Sequence, residues 1–422
     1  MNVWVVAIAE PIGFPTGEAR LLRAGTLANY LLEAGHRVCW WNSTFDHAAK
    51  RHIRPGDDRI AVSGDYAIRL LHACGYPKNI CVRRLVDHYV IARKFARLIE
   101  SEPQPDVIVC SLPTIELSLE CVRYGMRRHV PVILDIRDLW PDVFLSAAPA
   151  FLKAPARLAM RPLFGWTRES LAGATALSAV SEGYLQWGLR LAGRERRHTD
   201  GVFVHGYDAS YERVSPSERA AILRGRNINP SRIIVWFVGT LGSSYDLAPV
   251  IEAARRLRCE GNNRAHFVFS GDGPNRTKWQ RLASGLGNVT FTGWIDRHEI
   301  RRFMAAADIG LASYSPDASQ GLPFKLFEYM AGGIPVLSSL QGEAADFLHS
   351  NRCGLSYQAG SADSFSSALT LLVFNERLRR ELGRNGLASF GRSYSAERIY
   401  PAMVNWIEQV AKTREQNPQC CR

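Results

Sequence analysis

The chain has 422 residues, of which 46% are hydrophobic and 22% are charged. This length suits two domains better than one, and the composition is that of a folded globular protein rather than a disordered or fibrous chain. The net charge of +12 is spread evenly and accompanies no nucleic-acid-binding motif, so it favours phosphorylated ligands or an anionic membrane over nucleic acid.

Short apolar runs alternate with helical patterns through the first half of the chain. The strands are predicted at residues 3–9, 37–41, 107–110, 132–135 and 176–180, with helices such as 24–33 and 83–100 between them. This alternation predicts a parallel sheet covered by helices. No apolar run approaches the ~20 residues that a membrane-spanning helix requires.

Two loops that follow predicted strands carry candidate functional residues. The loop at 11–17 contains Gly13 and Gly17, and a plain surface loop explains it equally well. The run Asp-Ile-Arg-Asp-Leu-Trp-Pro at 135–141 follows a buried strand, so Arg137 and Asp138 are expected at the carboxyl end of the sheet, where ligands bind in open α/β folds. A helix N-cap with a salt bridge is the alternative explanation.

Two stretches of the first half combine basic and apolar residues. Residues 83–98 interleave five Lys or Arg residues with Leu, Val, Tyr and Phe, and residues 151–166 do the same with Lys153, Arg157 and Arg161. Such patterns suit an anionic membrane interface. Helices that pack on the sheet with their charges in water remain the alternative.

The strand and helix alternation starts again in the second half. Strands are predicted at 233–238, 266–270, 289–292, 309–312 and 335–338, with helices at 248–258, 275–283, 297–306 and 325–331. The segment 215–230 is polar, and we place the domain junction just before it. We therefore predict a first domain over 1–208, a second over 209–394, and a C-terminal helix and polar tail over 395–422 that packs back toward the first domain.

The segment from Gln320 to Val336 has the most informative pattern in the chain. Gly321 and Pro323 end a loop and open a helix, whose first turn offers free N–H groups and a positive dipole end to a phosphate. Lys325 adds a point charge, and Glu328, three residues on, can accept hydrogen bonds from a ribose diol. A surface helix with a Lys–Glu pair is the alternative explanation.

The same segment resembles the donor-site signature of family 4 glycosyltransferases with the GT-B fold, in which two glutamates flank seven residues. Glu328 matches the second glutamate, which the family uses on the nucleotide ribose, whereas Gln320 stands in place of the first. The runs at 237–242, 270–274, 291–295 and 307–311 match the family in the expected order, and Thr240 stands where the family often has a basic residue. The resemblance covers residues 3–392, strongly after 233, and in the first domain is typical of a bacterial surface-polysaccharide branch.

The resemblance implies an α/β protein with two Rossmann-like, doubly wound domains facing a central cleft. It implies Lys325 and Glu328 as catalytic candidates, and we expect Asp138 to be the polar partner of the acceptor hydroxyl. Gly13, Arg137 and Asp138 are expected on the acceptor side. The implied donor-binding residues are Gly17, Gly239, Thr240, Gly242, Gly271, Gly273, Trp294, Ile295, Gln320, Gly321, Leu322, Pro323, Phe324, Lys325, Leu326 and Glu328.

The resemblance further implies transfer with retention of the anomeric configuration, aided by a donor phosphate oxygen and without a side-chain nucleophile. No Asp-x-Asp motif and no Cys-x-x-Cys or His-Glu-x-x-His spacing occurs, so neither a metal nor another cofactor is implied. Family frequency favours a UDP-linked sugar as donor, and the branch favours a glycan acceptor carried on a lipid. We expect a cytoplasmic protein that acts at the inner face of the cell membrane.

Two other functions remain open from the sequence. A nucleotide-sugar epimerase on the same architecture would need an acid/base pair in the cleft, and no distinctive pair is present. A non-catalytic sugar-nucleotide-binding or scaffold subunit is favoured by Gln320 and by the absence of the usual basic residues near Thr240.

Overall fold

The computed structural model describes residues 1–13, 21–47, 49–79, 81–146, 149–207, 211, 214–318 and 320–416. Gly17 lies outside these residues. The chain divides into two compact units, one of Met1–Val204 with Ile399–Arg422 and one of His205–Arg398. The division falls between Val204 and His205, whereas the sequence placed it after residue 208.

The first unit contains an eight-stranded sheet in the order β10-β9-β8-β7-β1-β2-β6-β5, in which only β5 is antiparallel to its neighbour. A two-stranded hairpin, β3 and β4, stands apart from it. The chain order reverses between β1 and β7, and ligands bind at such switch points. The elements are β1 (Asn2–Val6), α1 (Arg23–Glu33), β2 (Arg37–Ser43), β3 (Phe45–Asp46), β4 (Arg51–His52), β5 (Asp58–Ala61), β6 (Tyr66–Leu71), α2 (Val82–Leu98), β7 (Val107–Leu112), α3 (Ile115–Arg128), β8 (Val132–Ile136), α4 (Asp142–Ser146), α5 (Lys153–Ala159), α6 (Arg161–Gly173), β9 (Ala176–Ala179), α7 (Glu182–Ala192) and β10 (Gly201–Val202).

The second unit contains a six-stranded, fully parallel sheet in the order β13-β12-β11-β14-β15-β16, with its switch point between β11 and β14. The last helix, α16, begins in this unit and lies mostly in the first. The elements are α8 (Pro216–Arg224), β11 (Ile233–Val238), α9 (Ala248–Cys259), β12 (Ala265–Ser270), α10 (Arg276–Leu282), β13 (Val289–Gly293), α11 (Arg297–Ala306), β14 (Ile309–Ala312), α12 (Phe324–Ala331), β15 (Val336–Ser338), α13 (Glu343–Ser350), β16 (Gly354–Ser356), α14 (Ala362–Phe374), α15 (Glu376–Ser389) and α16 (Ala396–Gln416).

Each sheet is buried under helices, which explains the continuous apolar strands. In the first unit Trp4 packs edge-on against Trp41 and Phe95, and all three are at most 1% exposed. In the second unit Phe237, Phe267 and Phe269 belong to one buried cluster with Trp279. Such aromatic side chains supply much of the apolar area that stabilises a core.

The first strand is shorter than the sequence predicts. Strand β1 ends at Val6 rather than at Ala9, because Ala9 adopts a left-handed conformation with φ of 67° that a strand cannot contain. The loop that starts here therefore begins at the carboxyl end of β1, beside the switch point. No helix in the described part of the chain is both long enough and apolar enough to cross a membrane.

Candidate donor site in the second unit

Two glycine loops lie against each other at the carboxyl ends of β11 and β12. The Gly239 N–H bonds to the carbonyl of Ser270 at 2.9 Å, and the Leu241 N–H bonds to the carbonyl of Asp272 at 2.9 Å. A Cβ on Gly271 (φ +135°) would lie 1.9 Å from the Gly239 oxygen. Only glycine permits this approach, so the loops present backbone at the edge of the sheet.

Helix α12 begins beside these loops with an uncapped N-terminus. Its N-cap is Pro323, in an extended conformation and without a side chain that can accept a hydrogen bond from the first turn. The Leu326 N–H bonds to the Pro323 carbonyl at 3.1 Å, so no side chain occupies the cap position, and the helix dipole makes an anion favourable there. The helix ends at Gly332, and the next residue, Gly333, adopts a φ of +66°.

Lys325 lies in the first turn of α12, and its side chain is buried. Its ammonium donates to the carbonyl of Val238, at the end of β11, and only 6% of the residue is exposed. The Nζ atom lies 4.6 Å from the ring centroid of Phe237 and 5.5 Å from that of Tyr245. Among the residues that the structure describes, no carboxylate forms an ion pair with Lys325. A buried ammonium offset only by a carbonyl and aromatic faces is well suited to receive an anion.

Tyr329 fixes α12 to the switch point of the sheet. Its hydroxyl lies 3.1 Å from both the Trp236 carbonyl on β11 and the Leu311 carbonyl on β14, and the side chain is fully buried. A Cβ on Gly310 would lie 2.3 Å from the Tyr329 ring, so Gly310 provides the space for it. Tyr329 holds Lys325 and Glu328 in place through the helix that they share.

Glu328 lies one turn beyond Lys325 and is 7% exposed. The hydroxyl of Tyr207 donates to its Oε1 atom at 3.0 Å. The Tyr207 ring also packs edge-on against Phe324, with centroids 4.9 Å apart. Sequence reasoning missed Tyr207, since no local pattern connects it with a glutamate that is 121 residues away.

Gln320 lies before α12, and its side-chain oxygen, Oε1, is buried without a hydrogen-bond donor among the described residues. A buried acceptor without a donor is costly, so the site has capacity for one more hydroxyl or amide donor. A sugar hydroxyl would meet that requirement.

The remaining donor-side candidates differ in their exposure. Leu322 and Ile295 are buried, whereas Thr240 is exposed and Trp294 is 74% exposed. Trp294 follows Gly293, whose carbonyl accepts a bond from the Gly271 N–H at 2.7 Å. The structure thus joins the second glycine loop to the end of β13. The other candidates on these loops and on α12 are Gly242, Gly273, Gly321 and Leu326.

The acceptor-side candidates lie in the first unit, at its own switch point. Arg137 donates to the Ser111 hydroxyl at 3.2 Å and forms an ion pair with Glu10. Glu10 also accepts a bond from the N–H of Ala24 at 3.0 Å, in the first turn of α1. Arg137 therefore connects the loops after β1, β7 and β8. Sequence reasoning did not propose Glu10, because the strand was extended too far toward it.

Asp138 follows Arg137 and is half-buried. Its Oδ1 accepts the N–H of Leu139 at 3.0 Å, and burial raises the pKa of its carboxyl above the usual range. Gly13 is half-exposed with a φ of +65°. Among the described residues, no three His, Cys, Asp or Glu side chains are grouped so that they could hold a metal ion.

Comparison with known proteins relates this geometry to one family. Residues 218–388 match the family described as Glycosyl transferases group 1. The lipopolysaccharide core biosynthesis glycosyltransferase LpsE of Rhizobium meliloti is 31% identical over 177 residues, which are 41% of this chain and 49% of LpsE. A GDP-mannose-dependent α-(1-6)-phosphatidylinositol monomannoside mannosyltransferase of Mycobacterium tuberculosis is 24% identical over 67% of this chain and 76% of its own. The chain matches half or less of the length of the first curated relatives.

Solved structures extend the similarity to the whole chain. Sucrose-phosphate synthase from Thermosynechococcus elongatus superimposes with a TM-score of 0.73 at 17% identity, covering 98% of this chain and 99% of its own. HepE of Anabaena in complex with UDP-glucose superimposes with a TM-score of 0.65 at 14% identity, covering 99% and 100%. These comparisons confirm the predicted family and fold class. The family match therefore assigns residues 218–388 to the glycosyl transferases group 1 family, and the chain as a whole has the GT-B fold.

Proposed function

We propose that the protein is a retaining glycosyltransferase that moves a hexosyl or N-acetylhexosaminyl group from a UDP-linked sugar to a lipid-linked glycan acceptor. The observation that carries the proposal is the buried Lys325 ammonium, which lies at an uncapped helix start beside two glycine loops. This arrangement suits the diphosphate of a nucleotide-sugar. Relatives described as acting in lipopolysaccharide core biosynthesis support a role in surface-glycan assembly.

The mechanism that we propose rests on positioning and on stabilising the leaving group. Lys325 and the first turn of α12 would neutralise charge on the departing diphosphate. Glu328 would hold the ribose, and the unsatisfied Gln320 oxygen would accept a bond from a sugar hydroxyl. Asp138, with its raised pKa, would contact the acceptor hydroxyl.

The choice of uridine is open to a direct test. HepE was solved with UDP-glucose, which supports UDP, whereas the mycobacterial relative is described as GDP-mannose-dependent. We expect UDP and UDP-sugars to raise the Tm of the protein, since a ligand that binds only the folded state stabilises it. A thermal-shift panel that includes GDP-mannose checks this. If only GDP-mannose raised the Tm, the assignment of UDP would be wrong, but the proposal that the protein is a glycosyltransferase would stand.

Transfer should not depend on a divalent metal. In the proposed site a helix N-terminus and Lys325 neutralise the diphosphate, so a metal ion has no required role there. We expect the initial rate to be unchanged after exhaustive treatment with EDTA. Complete inactivation that is reversed by added Mg²⁺ or Mn²⁺ would show that a metal ion neutralises the diphosphate of the donor.

The first unit exposes apolar side chains next to basic ones, which supports action at a membrane surface. Phe151 is 79% exposed and Leu158 is 64% exposed, beside the exposed Lys153 and Arg157. On α2, the apolar residues Val82, Val86 and Tyr89 are also exposed, whereas Phe95 is buried in the core. Each basic residue near an anionic surface contributes roughly 1 kcal/mol, which makes weak and reversible binding reasonable.

We expect the protein to co-sediment with anionic vesicles at low salt and to be released at high salt. The double variant Lys153→Gln/Arg157→Gln should reduce the bound fraction several-fold, because both cations lie beside the exposed apolar residues. Arg377→Gln, at an exposed position of α15, is the control and should have no effect. Equal binding to neutral and anionic vesicles would contradict an electrostatic attachment.

A further inference from the structure

A second group of cations lies in the first unit, and within the described residues these cations form no ion pair with a carboxylate. We call His47, Lys50, Tyr76, Arg84 and Trp140 the Arg84 cluster. These residues lie after β3, after β6, at the start of α2 and after β8. Since β2, β6 and β8 run parallel in one sheet, the loops that follow them meet at the same carboxyl edge.

Arg84 is held between two buried aromatic rings. Its guanidinium carbon lies 4.6 Å from the Trp140 ring centroid and 5.2 Å from the Tyr76 centroid. Trp140 and Tyr76 are only 3% and 4% exposed, so both rings are fixed by the core. One Arg84 amino group donates to the Asn79 carbonyl at 2.9 Å, and Nε lies 3.4 Å from Nε2 of His88. The orientation of the guanidinium is therefore set before any ligand binds.

Lys50 and His47 approach the same tyrosine. The Lys50 ammonium lies 4.9 Å from the Tyr76 ring centroid and donates to the Asn79 amide oxygen at 2.6 Å. The Nδ1 atom of His47 lies 2.7 Å from the Tyr76 hydroxyl. Lys50 has a φ of 54°, a conformation that non-glycine residues rarely adopt and that clusters at functional sites.

The charges of the cluster are only partly compensated, because the carboxylate of Asp46 acts on Lys50 and His47, and that of Asp138 acts on Arg84. Within the described ranges, neither Lys50 nor Arg84 forms an ion pair with a carboxylate, whereas Arg23 and Arg137 of the same unit do. Burial and then the charges of Lys50 and Arg84 lower the pKa of His47 to about 4. Burial and then Arg84 lower the pKa of Lys50. An anion would relieve this mutual repulsion, and a phosphoryl group offers several oxygens to a guanidinium fork and an ammonium together.

We propose that the Arg84 cluster binds a phosphoryl group of the acceptor, through the Arg84 guanidinium and the Lys50 ammonium. The assignment of this group to the acceptor rests on the proposed function, which makes the first unit the acceptor side. Trp140 lies two residues after Asp138, the candidate partner of the acceptor hydroxyl. A phosphoryl group bound by the Arg84 cluster would therefore contact the loop that also carries Asp138. The phosphoryl group would then belong either to a phosphorylated sugar of the acceptor glycan or to the phosphate headgroup of the lipid that carries it.

Calorimetry with inorganic phosphate tests the site without any donor or acceptor. The full chain carrying Lys325→Gln is the starting protein, because this change removes the cation of the donor site. In that background Arg84→Gln and Lys50→Gln should each raise the Kd for phosphate by about tenfold or more, as expected for a lost charge-assisted bond. Arg93→Gln is the control, since Arg93 is exposed on the same helix α2 and its loss removes the same charge.

Two further titrations identify the source of the phosphoryl group. If Arg84→Gln weakens the binding of hexose 6-phosphate, the phosphoryl group belongs to a sugar of the acceptor. If Arg84→Gln weakens only the binding to vesicles that contain phosphatidylinositol, the phosphoryl group belongs to a lipid headgroup. If Arg84→Gln does not fold, the phosphate Kd is measured for Arg84→Lys and Lys50→Gln instead. Equal phosphate affinity in the Arg84, Lys50 and Arg93 variants, or no binding at all, would overturn the proposal. Because no donor is present, this result is independent of whether glycosyl transfer occurs.

Discussion

Lys325→Gln should lower the kcat of glycosyl transfer by on the order of 100-fold, with a smaller change in the KM for the donor. The reason is that negative charge develops on the diphosphate as its bond to the sugar breaks, so a fixed ammonium stabilises the transition state more than the bound donor. Lys325 is already fixed by the Val238 carbonyl and the rings around it. Steady-state kinetics at several donor concentrations measure both constants.

A matched control for this variant is Lys278→Gln. Lys278 is also a lysine of the second unit whose ammonium lies over an aromatic ring, 4.3 Å from the centroid of Trp279, but it is exposed on α10. We expect wild-type kinetics from it. If Lys325→Gln raised only the KM and left kcat intact, Lys325 would bind the ground state and the transition state equally, and its proposed role would be wrong.

Glu328→Ala should reduce kcat/KM for the donor by about tenfold or more, mainly through a higher KM. A buried carboxylate that accepts bonds from ribose hydroxyls loses a charge-assisted interaction of about 1.5–3 kcal/mol when it is removed. The Tyr207 hydroxyl, 3.0 Å from Oε1, already fixes this carboxylate. Glu260→Ala, at an exposed position after α9, is the control. Wild-type kinetics in a folded Glu328→Ala protein would refute the assignment of the donor site.

The parts of the structure that the sequence predicts well are those with local signals. The parallel sheets follow from buried apolar strands that alternate with helices, a pattern that both units keep. The start of α12 follows from Pro323, and the close approach of the loops follows from Gly271, where a Cβ would collide with the Gly239 carbonyl. The roles of these residues in binding a donor stay predictions.

The parts that the sequence does not predict depend on contacts between distant residues. Strands β5 and β6 were missed, because Asp58, Arg59 and Arg69 interrupt the apolar pattern at the edge of the sheet. The contact of Tyr207 with Glu328 and the ion pair of Glu10 with Arg137 join segments far apart in the chain. The Arg84 cluster likewise draws on four separate segments, so the grouping of its cations is visible only in the structure.

The measurement that tests the central claim most directly is hydrolysis of a nucleotide-sugar by the purified chain without an acceptor. We predict slow release of the free sugar and UDP from a UDP-sugar, which falls on the order of 100-fold in Lys325→Gln and is unchanged in Lys278→Gln. Conversion of the sugar while it stays attached to the nucleotide would indicate an epimerase instead. Binding of nucleotide-sugars without any turnover, with or without acceptor, would indicate a non-catalytic subunit and contradict the account.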